Sequence, residues 1–447
     1  MIDRLLDAAR SLGGADALWR REERTSIAFE SGRLKTAAVT EEAGVNVRVV
    51  AGGRMGVAGT TAATPDLAAL LDRARASADL GEALDLAFPP TSRLPHVPTF
   101  FDRAANASLD QLIGMGRGLV ERLAREGCQV NVAIEREVGE TAVGNTAGAR
   151  GGYPATGVGV TVEVIRIAAD DVLMIYDQYV GGDLPTDGDL EALVRSIETR
   201  LEPALTVASP PEGALPVVFT PAGLAAVILP LEQALSGKTV LQGSSPLAAR
   251  VGAEVFDARL SITDDPLAAD GPASRPLDDE CVPSAATLLV ERGIVRGFVY
   301  DLETAARAQV RSTGHGRRGI FGKPQIRYTN LIVGSGPDDV GARHAAPLRA
   351  PLQLAGGLVS DIQDGLIVDD LIGVGQGNVI GGGFSHPVGL AYRVQRGEIT
   401  GRVKDAAVAG NVYELLKRVA GFGNDGRWLG SRWSPSLRLD GVSVARR

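Results

Sequence analysis

The sequence predicts an α+β protein with two domains: an N-terminal α/β layered domain with an antiparallel or mixed sheet over residues 1–207, and a C-terminal β-rich domain over residues 214–447. The 447 residues are more than one typical domain of about 100–200 residues would need. Helical patterns interrupt blocks of strand patterns instead of alternating with them, which favours α+β over a doubly wound sheet. The 56 glycines are spread among apolar runs, as in turn-rich sheet proteins.

The N-terminal half is predicted to open with one helix and a meander of strands. Apolar residues between Ile2 and Leu12 recur at helical spacing, and Gly13 ends that pattern. Alternation of apolar and polar residues then predicts short strands, with glycine-containing turns between them. These strands cover residues 25–30, 33–40, 45–50 and 55–59.

Further helices and strands complete this half. Thr64, as an N-cap before Pro65, predicts a second helix, and a capping-box pattern at Ser108 predicts a third. Helical spacing of leucines predicts another helix over residues 190–201. The strands predicted between these helices cover residues 129–137, 157–167 and 171–179.

The proline-rich segment 208–213 is the predicted domain boundary. Beyond it the sequence predicts a helix from about residue 221 to residue 235 and a hairpin that turns at residues 291–293. Apolar residues at helical spacing over 408–419 predict a last helix, and residues 437–445 a final strand. The remainder is predicted to be strands and turns in a closed or sandwich-like arrangement.

Composition excludes several classes of function. The 46 basic and 54 acidic residues give a net charge of −8, which does not favour a nucleic-acid surface or a polybasic membrane anchor. The two cysteines, Cys128 and Cys281, are too few for a disulfide framework. The first residues lack an uninterrupted apolar run, and no stretch of 18 apolar residues occurs, so a cytoplasmic location is expected.

Common catalytic motifs are not found. The four histidines share no helical turn, which argues against a zinc site built from this chain alone. They are His96, His315, His344 and His386. No G-x-S-x-G motif occurs, and the glycine run 373–383 has Ile380 where a dinucleotide-binding loop needs its third glycine. We expect this run to form tight bends or to allow close backbone approach.

Two clusters of polar residues remain as candidates. The acidic run 278–280, preceded by Asp264 and Asp265, could bind a hard cation, or it could be a solvated loop that caps turns. The segment 312–319 places a histidine and two arginines in a glycine-containing loop, which suits contact with a carboxylate or with carbonyl groups, or is an ordinary charged surface loop. The substrate- or partner-contact candidates are Asp278, Asp279, Glu280, Ser312, Thr313, Gly314, His315, Arg317 and Arg318.

Over nearly its whole length the chain resembles the TldD/PmbA family, also called modulators of DNA gyrase, and its PmbA (TldE) branch more than its TldD branch. The resemblance depends on short fragments in a fixed order. In the first half they are residues 30–35, 44–49, 53–58 and 145–148. In the second half they are residues 234–237 with 244–245, 262–266, 276–280, 312–314, 408–411 and 423–425.

The resemblance implies a two-domain fold with an N-terminal α/β layer and a C-terminal β-rich, barrel-like domain. It implies that two such chains pair as a TldD–TldE heterodimer around an enclosed chamber. It also implies that the TldD subunit carries zinc on an HExxxH helix with a distant cysteine, and that it cleaves extended peptides or unfolded chains, including ribosomal peptide precursors. The matching helix here, residues 228–235, has no histidine, and no cysteine follows Cys281. The loop at His315 resembles the TldD branch, where an asparagine commonly precedes Gly-Arg-Arg.

The leading hypothesis is therefore a non-catalytic, metal-free TldE-like subunit, with no catalytic residue, metal ligand or cofactor of its own. Zinc is expected in a TldD-like partner. The glycine-rich segments 334–336 and 373–383 are candidates for lining the path of an extended peptide. One alternative is a homodimeric, non-catalytic protein that binds a peptide or a small molecule. Another is an independent enzyme that uses Asp278, Asp279, Glu280 or His315 as acid, base or metal ligand.

Overall fold

The N-terminal sheet is built from six antiparallel strands in the order β3-β2-β1-β4-β5-β6. The computed structural model describes residues 1–169, 171–335 and 354–447. Alternating valines along β5 lie on one buried face, as the period of a half-buried strand requires. The strands are β1 (Gly14–Glu30), β2 (Arg33–Ala51), β3 (Arg54–Thr60), β4 (Cys128–Asn145), β5 (Arg150–Ala168) and β6 (Asp171–Gly181).

Helices pack on this sheet in two groups, because their apolar faces need a partner. The first two helices bury leucines and alanines against β1 and β2, and the longer ones pack against β4 to β6. The helices are α1 (Ile2–Ala9), α2 (Leu67–Asp79), α3 (Asp102–Ala105), α4 (Leu109–Leu123) and α5 (Asp187–Ala204). Helix α2 begins two residues later than predicted, because Asp66 and not Thr64 caps it through the N–H of Ala69.

The C-terminal half contains a closed barrel of five strands, β15-β8-β22-β18-β16, in which β15 also pairs with β16. The strands of the half are β7 (Val207–Ala208), β8 (Gly213–Phe219), β9 (Ser261–Asp264), β10 (Thr287–Glu291), β11 (Ile294–Val295), β12 (Gly316–Arg317), β13 (Gln325–Ile326), β14 (Leu331–Gly334), β15 (Asp364–Leu371), β16 (Gly383–Gln395), β17 (Glu398–Val403), β18 (Ala406–Asn411), β19 (Val419–Phe422), β20 (Arg427–Leu429), β21 (Arg432–Ser434) and β22 (Leu437–Arg446).

A second sheet, β11-β10-β9-β14-β21-β20, lies beside the barrel. Helices α6 (Ala225–Ala234), α7 (Gly237–Leu241), α8 (Leu302–Ala308) and α9 (Val412–Leu415) connect these strands. The α+β class with a barrel in the C-terminal half is confirmed. The predicted helix over residues 408–419 is wrong: strands β18 and β19 occupy its ends, and only one helical turn lies between them.

The hydrophobic cores of the two halves are joined. Val218, Ile367 and Tyr392 from the barrel lie in one apolar cluster with residues of β4, β5, α4 and α5. The Tyr392 hydroxyl donates a hydrogen bond of 2.7 Å to the carbonyl of Arg200 in α5. None of the helices within the described ranges has both the length and the apolar character needed to span a lipid bilayer.

Candidate functional site

The acidic run and the segment around His315 are brought together where the C-terminal loops meet the N-terminal sheet. Asp278, Asp279 and Glu280 are only 1%, 1% and 0% exposed. They lie against strand β12, because the N–H of Asp279 donates to the carbonyl of Gly316. The triplet is therefore not the solvated loop that was one of its two interpretations.

Glu280 belongs to a fully buried ion network that joins the two halves. The Arg48 guanidinium, in β2, donates to Glu280 Oε1 at 2.6 Å and is also paired with Asp16 in β1. Asp16 accepts a second ion pair from Arg318 at 2.7 Å. The other Glu280 oxygen accepts the N–H of Leu302 at 2.7 Å, at the first turn of α8. Burial, together with the nearby charge of Asp278, raises the pKa of Glu280 to about 8 despite Arg48.

Asp279 carries a second set of contacts across the same junction. Arg20 in β1 and Arg317 each reach Asp279 Oδ1 at 3.0 Å, and the N–H of Arg318 donates to Oδ2 at 2.9 Å. Arg317 also donates to the Tyr153 hydroxyl at 3.3 Å. Burial opposes ionisation of Asp279, but Arg317 and Arg20 outweigh it and hold its pKa below the usual value.

Asp278 is held by backbone donors. Its oxygens accept the N–H groups of Glu280, Val282 and Gly316 at 2.9, 2.9 and 3.0 Å. Burial raises the pKa of Asp278 to about 6 in spite of these donors. All six oxygens of the triplet thus accept hydrogen bonds inside the protein, and within the described ranges no three His, Cys, Asp or Glu side chains are grouped to hold a metal ion. The cation interpretation of the triplet therefore has no support among the described residues.

His315 is buried and paired on both ring nitrogens. Nε2 lies 2.9 Å from Asp264 in β9, and Nδ1 lies 2.8 Å from the Thr313 hydroxyl. Asp264 also accepts hydrogen bonds from the N–H and hydroxyl of Thr329. The histidine therefore holds the 312–318 segment against the second sheet.

The rest of that segment is also ordered by internal contacts. Gly314 has a φ of 76°, a conformation that glycine adopts readily, and its N–H donates to the Ser312 hydroxyl at 3.2 Å. Ser312, Thr313 and Arg317 remain partly exposed, whereas Gly314, His315 and Arg318 are buried. The interpretation as an ordinary charged surface loop is wrong, because ion pairs across the junction enclose most of the segment.

The partners Asp16, Arg20 and Arg48 were missed by reasoning from the sequence. Their signal is a charged residue inside a strand whose alternate positions are apolar, as with Arg48 between Val47 and Val49. Val47 and Val49 face the core shared with α1 and α2, so Arg48 faces the other side. That side is covered by segments more than 200 residues away in sequence, which no local pattern identifies.

A separate cleft of about 110 Å³ lies beside α6. Its walls are Leu229 and Pro230 of the helix, the glycine-rich residues 374–376, and residues 383–386 at the start of β16. The Tyr413 hydroxyl fixes the glycine run by donating to the carbonyl of Ile380 at 2.8 Å. Gly373, Gly375, Gly377 and Gly382 all have positive φ, so the run forms tight bends as predicted. Gly336 and His344 lie outside the described residues.

Two family models match the chain. One, described as PmbA/TldA metallopeptidase C-terminal domain, covers residues 212–446, and the other, PmbA/TldA metallopeptidase domain 1, covers residues 15–78. Among curated relatives, a metalloprotease of Methanothermobacter thermautotrophicus is 31% identical over 54% of this chain and 49% of its own length. A TldD-homologous metalloprotease of Haemophilus influenzae is 27% identical over 52% of this chain and 46% of its own. The aligned part of this chain thus spans about half the length of these relatives.

Solved structures agree over almost the whole chain. TldE from Thermococcus kodakarensis superposes with a TM-score of 0.85 at 22% identity, covering 99% of both chains. A putative modulator of DNA gyrase from Thermotoga maritima gives 0.86 at 23% identity, again with 99% of both chains covered. At such identities the likeness establishes the fold. Because the C-terminal family model alone covers more than half of the sequence, this protein belongs to the TldD/PmbA family of metalloprotease-like proteins.

Proposed function

We propose that this chain is the metal-free subunit of a TldD/TldE-type zinc metallopeptidase, in which it helps to enclose the substrate chamber and holds an extended peptide. A TldD-like partner would supply the zinc ion and the hydrolysis. The observation that carries the proposal is the chemistry of α6 and its cleft. The matching TldD helix carries HExxxH, whereas here Leu229 and Pro230 line the cleft.

The residues present do not fit a zinc ion. Zinc in a hydrolase needs about three histidine, cysteine or carboxylate ligands. In the complete sequence, no histidine is followed by glutamate, so HExxH and HExxxH are both absent. Glu232, the carboxylate on α6, is already paired with Arg432 at 3.0 Å.

The cleft suits an extended peptide backbone. Residues 383–386 of β16 pair with β18 on one side, while on the other side β15 and the residue after it, Ile372, reach β16 only as far as Pro387. Within the described strands the other edge of residues 383–386 is therefore unpaired, and these residues line the cleft. Strand addition at such an edge gives hydrogen bonds that do not depend on the peptide's sequence, and apolar walls add contact with side chains.

The test is reconstitution with a TldD-like subunit. Zinc content and hydrolysis of a fluorescently labelled unfolded protein would be measured for this chain, for the partner and for their mixture. We expect a heterodimer in size-exclusion chromatography, with zinc in the partner and hydrolysis that requires both chains. Stoichiometric zinc or hydrolysis in the isolated chain would contradict the proposal, and so would a partner that neither binds this chain nor gains activity from it.

A matched pair of variants tests the cleft itself. Gln376→Trp places a large ring at the cleft, and Gln395→Trp places the same ring at an exposed position at the far end of β16. In the reconstituted enzyme we expect Gln376→Trp to raise KM by about tenfold, since a loss of about 1.4 kcal/mol in binding has that effect. Gln395→Trp should leave KM unchanged. An equal change in KM for the two variants would contradict the proposal that the peptide passes through the cleft.

A further inference from the structure

Arg275 is a buried arginine whose side chain has no partner among the described residues. It lies in the loop that follows β9 and is 4% exposed. Its Nε and Nη2 atoms are enclosed and make no hydrogen bond. The backbone beside it is fixed, because the N–H of Arg275 donates to the carbonyl of Pro266 at 2.9 Å. Within the described residues no carboxylate forms an ion pair with this guanidinium.

The charged groups around Arg275 do not neutralise it. Asp278 and Asp279 act on its charge favourably, but their oxygens are occupied by the backbone donors and the arginines described above. Arg317 is also close and repels it. Burial first, and then this repulsion, lower the pKa of Arg275.

A buried charge without a partner is costly, and buried charges in proteins are normally paired. The Nε and Nη2 hydrogens of an arginine form one edge of the planar guanidinium and point in parallel. Their spacing matches the two oxygens of a carboxylate.

We propose that the Nε–Nη2 edge of Arg275 is a binding subsite for a carboxylate. The proposal goes beyond the function proposed above and does not depend on it. A carboxylate fits better than a phosphate, because Asp278 and Asp279 would repel the larger negative charge of a phosphate. Bound there, a carboxylate receives two parallel charge-assisted hydrogen bonds that no group among the described residues receives.

Acetate is the probe for this subsite. The melting temperature of the full chain would be followed as sodium acetate replaces sodium chloride at constant ionic strength. We expect acetate to raise the melting temperature of the wild type in a saturable manner, because a ligand that binds the folded state stabilises it. In Arg275→Met the rise should be lost, with binding weaker by about tenfold or more. In chloride alone this variant should be at least as stable as the wild type, since it removes an unpaired buried charge.

Two further variants separate a binding role from a structural one. Arg275→Lys keeps the charge but not the two-pronged edge, so acetate should bind it more weakly than wild type. Arg136 is the matched control, because its guanidinium is buried but donates to the carbonyls of Ala105 and Ala107 and is paired with Glu23. Its Nε also has no partner, but Nη2, the other half of that edge, is occupied by Glu23. Arg136→Met should melt lower in every buffer yet keep the acetate response.

The result that overturns the proposal is an acetate response of equal size in the wild type and Arg275→Met, or no response in either. Arg275→Met that melts lower in chloride, with no acetate effect in the wild type, would identify an arginine solvated by water alone. The source of the carboxylate is distinguished with N-acetyl-dialanine and its C-terminal amide. Tighter binding of the free acid than of acetate, lost in the amide, supports a peptide terminus, whereas equal binding of acid and acetate supports a small free carboxylate.

Discussion

Three consecutive carboxylates, Asp278, Asp279 and Glu280, have different electrostatic surroundings although all three are buried. Asp279 is compensated by two arginines and has a lowered pKa. Glu280 has one arginine, Arg48, against burial and two neighbouring carboxylates, so its pKa is raised to about 8. The difference comes from which segment covers each side chain. The contributions of the neighbouring residues Asp279 and Glu280 to stability therefore change with pH in opposite directions.

The stability of the protein should fall as pH rises through the range in which Glu280 loses its proton. The ordinary pKa of a glutamate, 4.5, describes the unfolded chain, and the folded value is about 8. Between pH 4.5 and about pH 8 the folded state holds a proton that the unfolded state has lost. The stabilisation that comes from protonated Glu280 is therefore fully present below the unfolded-state pKa and is lost as pH rises through the folded-state pKa. Glu280→Gln cannot titrate. We expect its free energy of unfolding to decline less than that of the wild type between about pH 5 and pH 9 in urea titrations.

Asp279→Asn is the control for that prediction. Because the folded-state pKa of Asp279 is lowered, its ionised form stabilises the protein above the ordinary aspartate value, and that contribution is lost as pH falls through the folded value. Asp279→Asn should therefore change how the free energy of unfolding depends on pH in the acidic range. From neutral to alkaline pH, its free energy of unfolding should run parallel to that of the wild type. Parallel profiles for Glu280→Gln and the wild type from about pH 5 to pH 9 would contradict the assigned direction.

At the scale of elements, strand β3 meets the end of the 312–320 segment so closely that only glycine fits. A Cβ atom on Gly59 would lie 1.7 Å from the carbonyl oxygen of Ile320. That same oxygen accepts a hydrogen bond of 2.9 Å from the side chain of Asn46. A shift of the loop away from β3 would therefore break the buried hydrogen bond between Asn46 and the Ile320 carbonyl.

Gly59→Ala should lower the free energy of unfolding by about 1–3 kcal/mol, the usual cost of overpacking a well-packed site. The matched control is Gly159→Ala in β5, where a Cβ atom meets nothing within 4 Å and φ is not positive. That substitution should change stability by no more than about 0.5 kcal/mol. Chemical denaturation of both variants measures the difference. A neutral Gly59→Ala would mean that the loop and β3 are not in this close contact in solution.

Local patterns predicted elements where local interactions decide the structure. Helix α5 follows from its leucine spacing, and a capping box at Thr186 fixes its start. The pattern of residues 408–419 is just as helical, yet β18 pairs with β16 and β22, which lie elsewhere in sequence. Pairing with distant strands overrode local periodicity there. The candidate segments 278–280 and 312–318 were identified from their local composition, but their partners Asp16 and Arg48 lie too far away in sequence to be found.

At the scale of the whole molecule, two buried ion networks and a shared core join the halves. The first is the junction of Asp16, Arg48 and Glu280. In the second, Arg200 of α5 pairs with Asp177 of β6 and with Asp369 of β15, each at 3.0 Å. Both networks cross from the N-terminal sheet to C-terminal segments, so loss of either half exposes charges that are now compensated.

The two halves should therefore unfold together. Trp19 lies in β1 of the N-terminal half, whereas the other two tryptophans, Trp428 and Trp433, lie in β20 and β21 of the C-terminal half. The fluorescence of a variant that keeps only Trp19 therefore reports on the N-terminal half, and that of a variant that keeps only Trp428 and Trp433 reports on the C-terminal half. We expect coincident urea transitions for both reporters. Arg48→Met removes one of the two cations paired with Asp16 and the donor to Glu280 Oε1, and should destabilise both transitions together by about 3–5 kcal/mol. Arg21→Met removes an exposed pair with Glu41 and should cost at most about 1 kcal/mol. If Arg48→Met shifted the Trp19 transition alone, the halves would be independent folding units and the buried junction would not couple them.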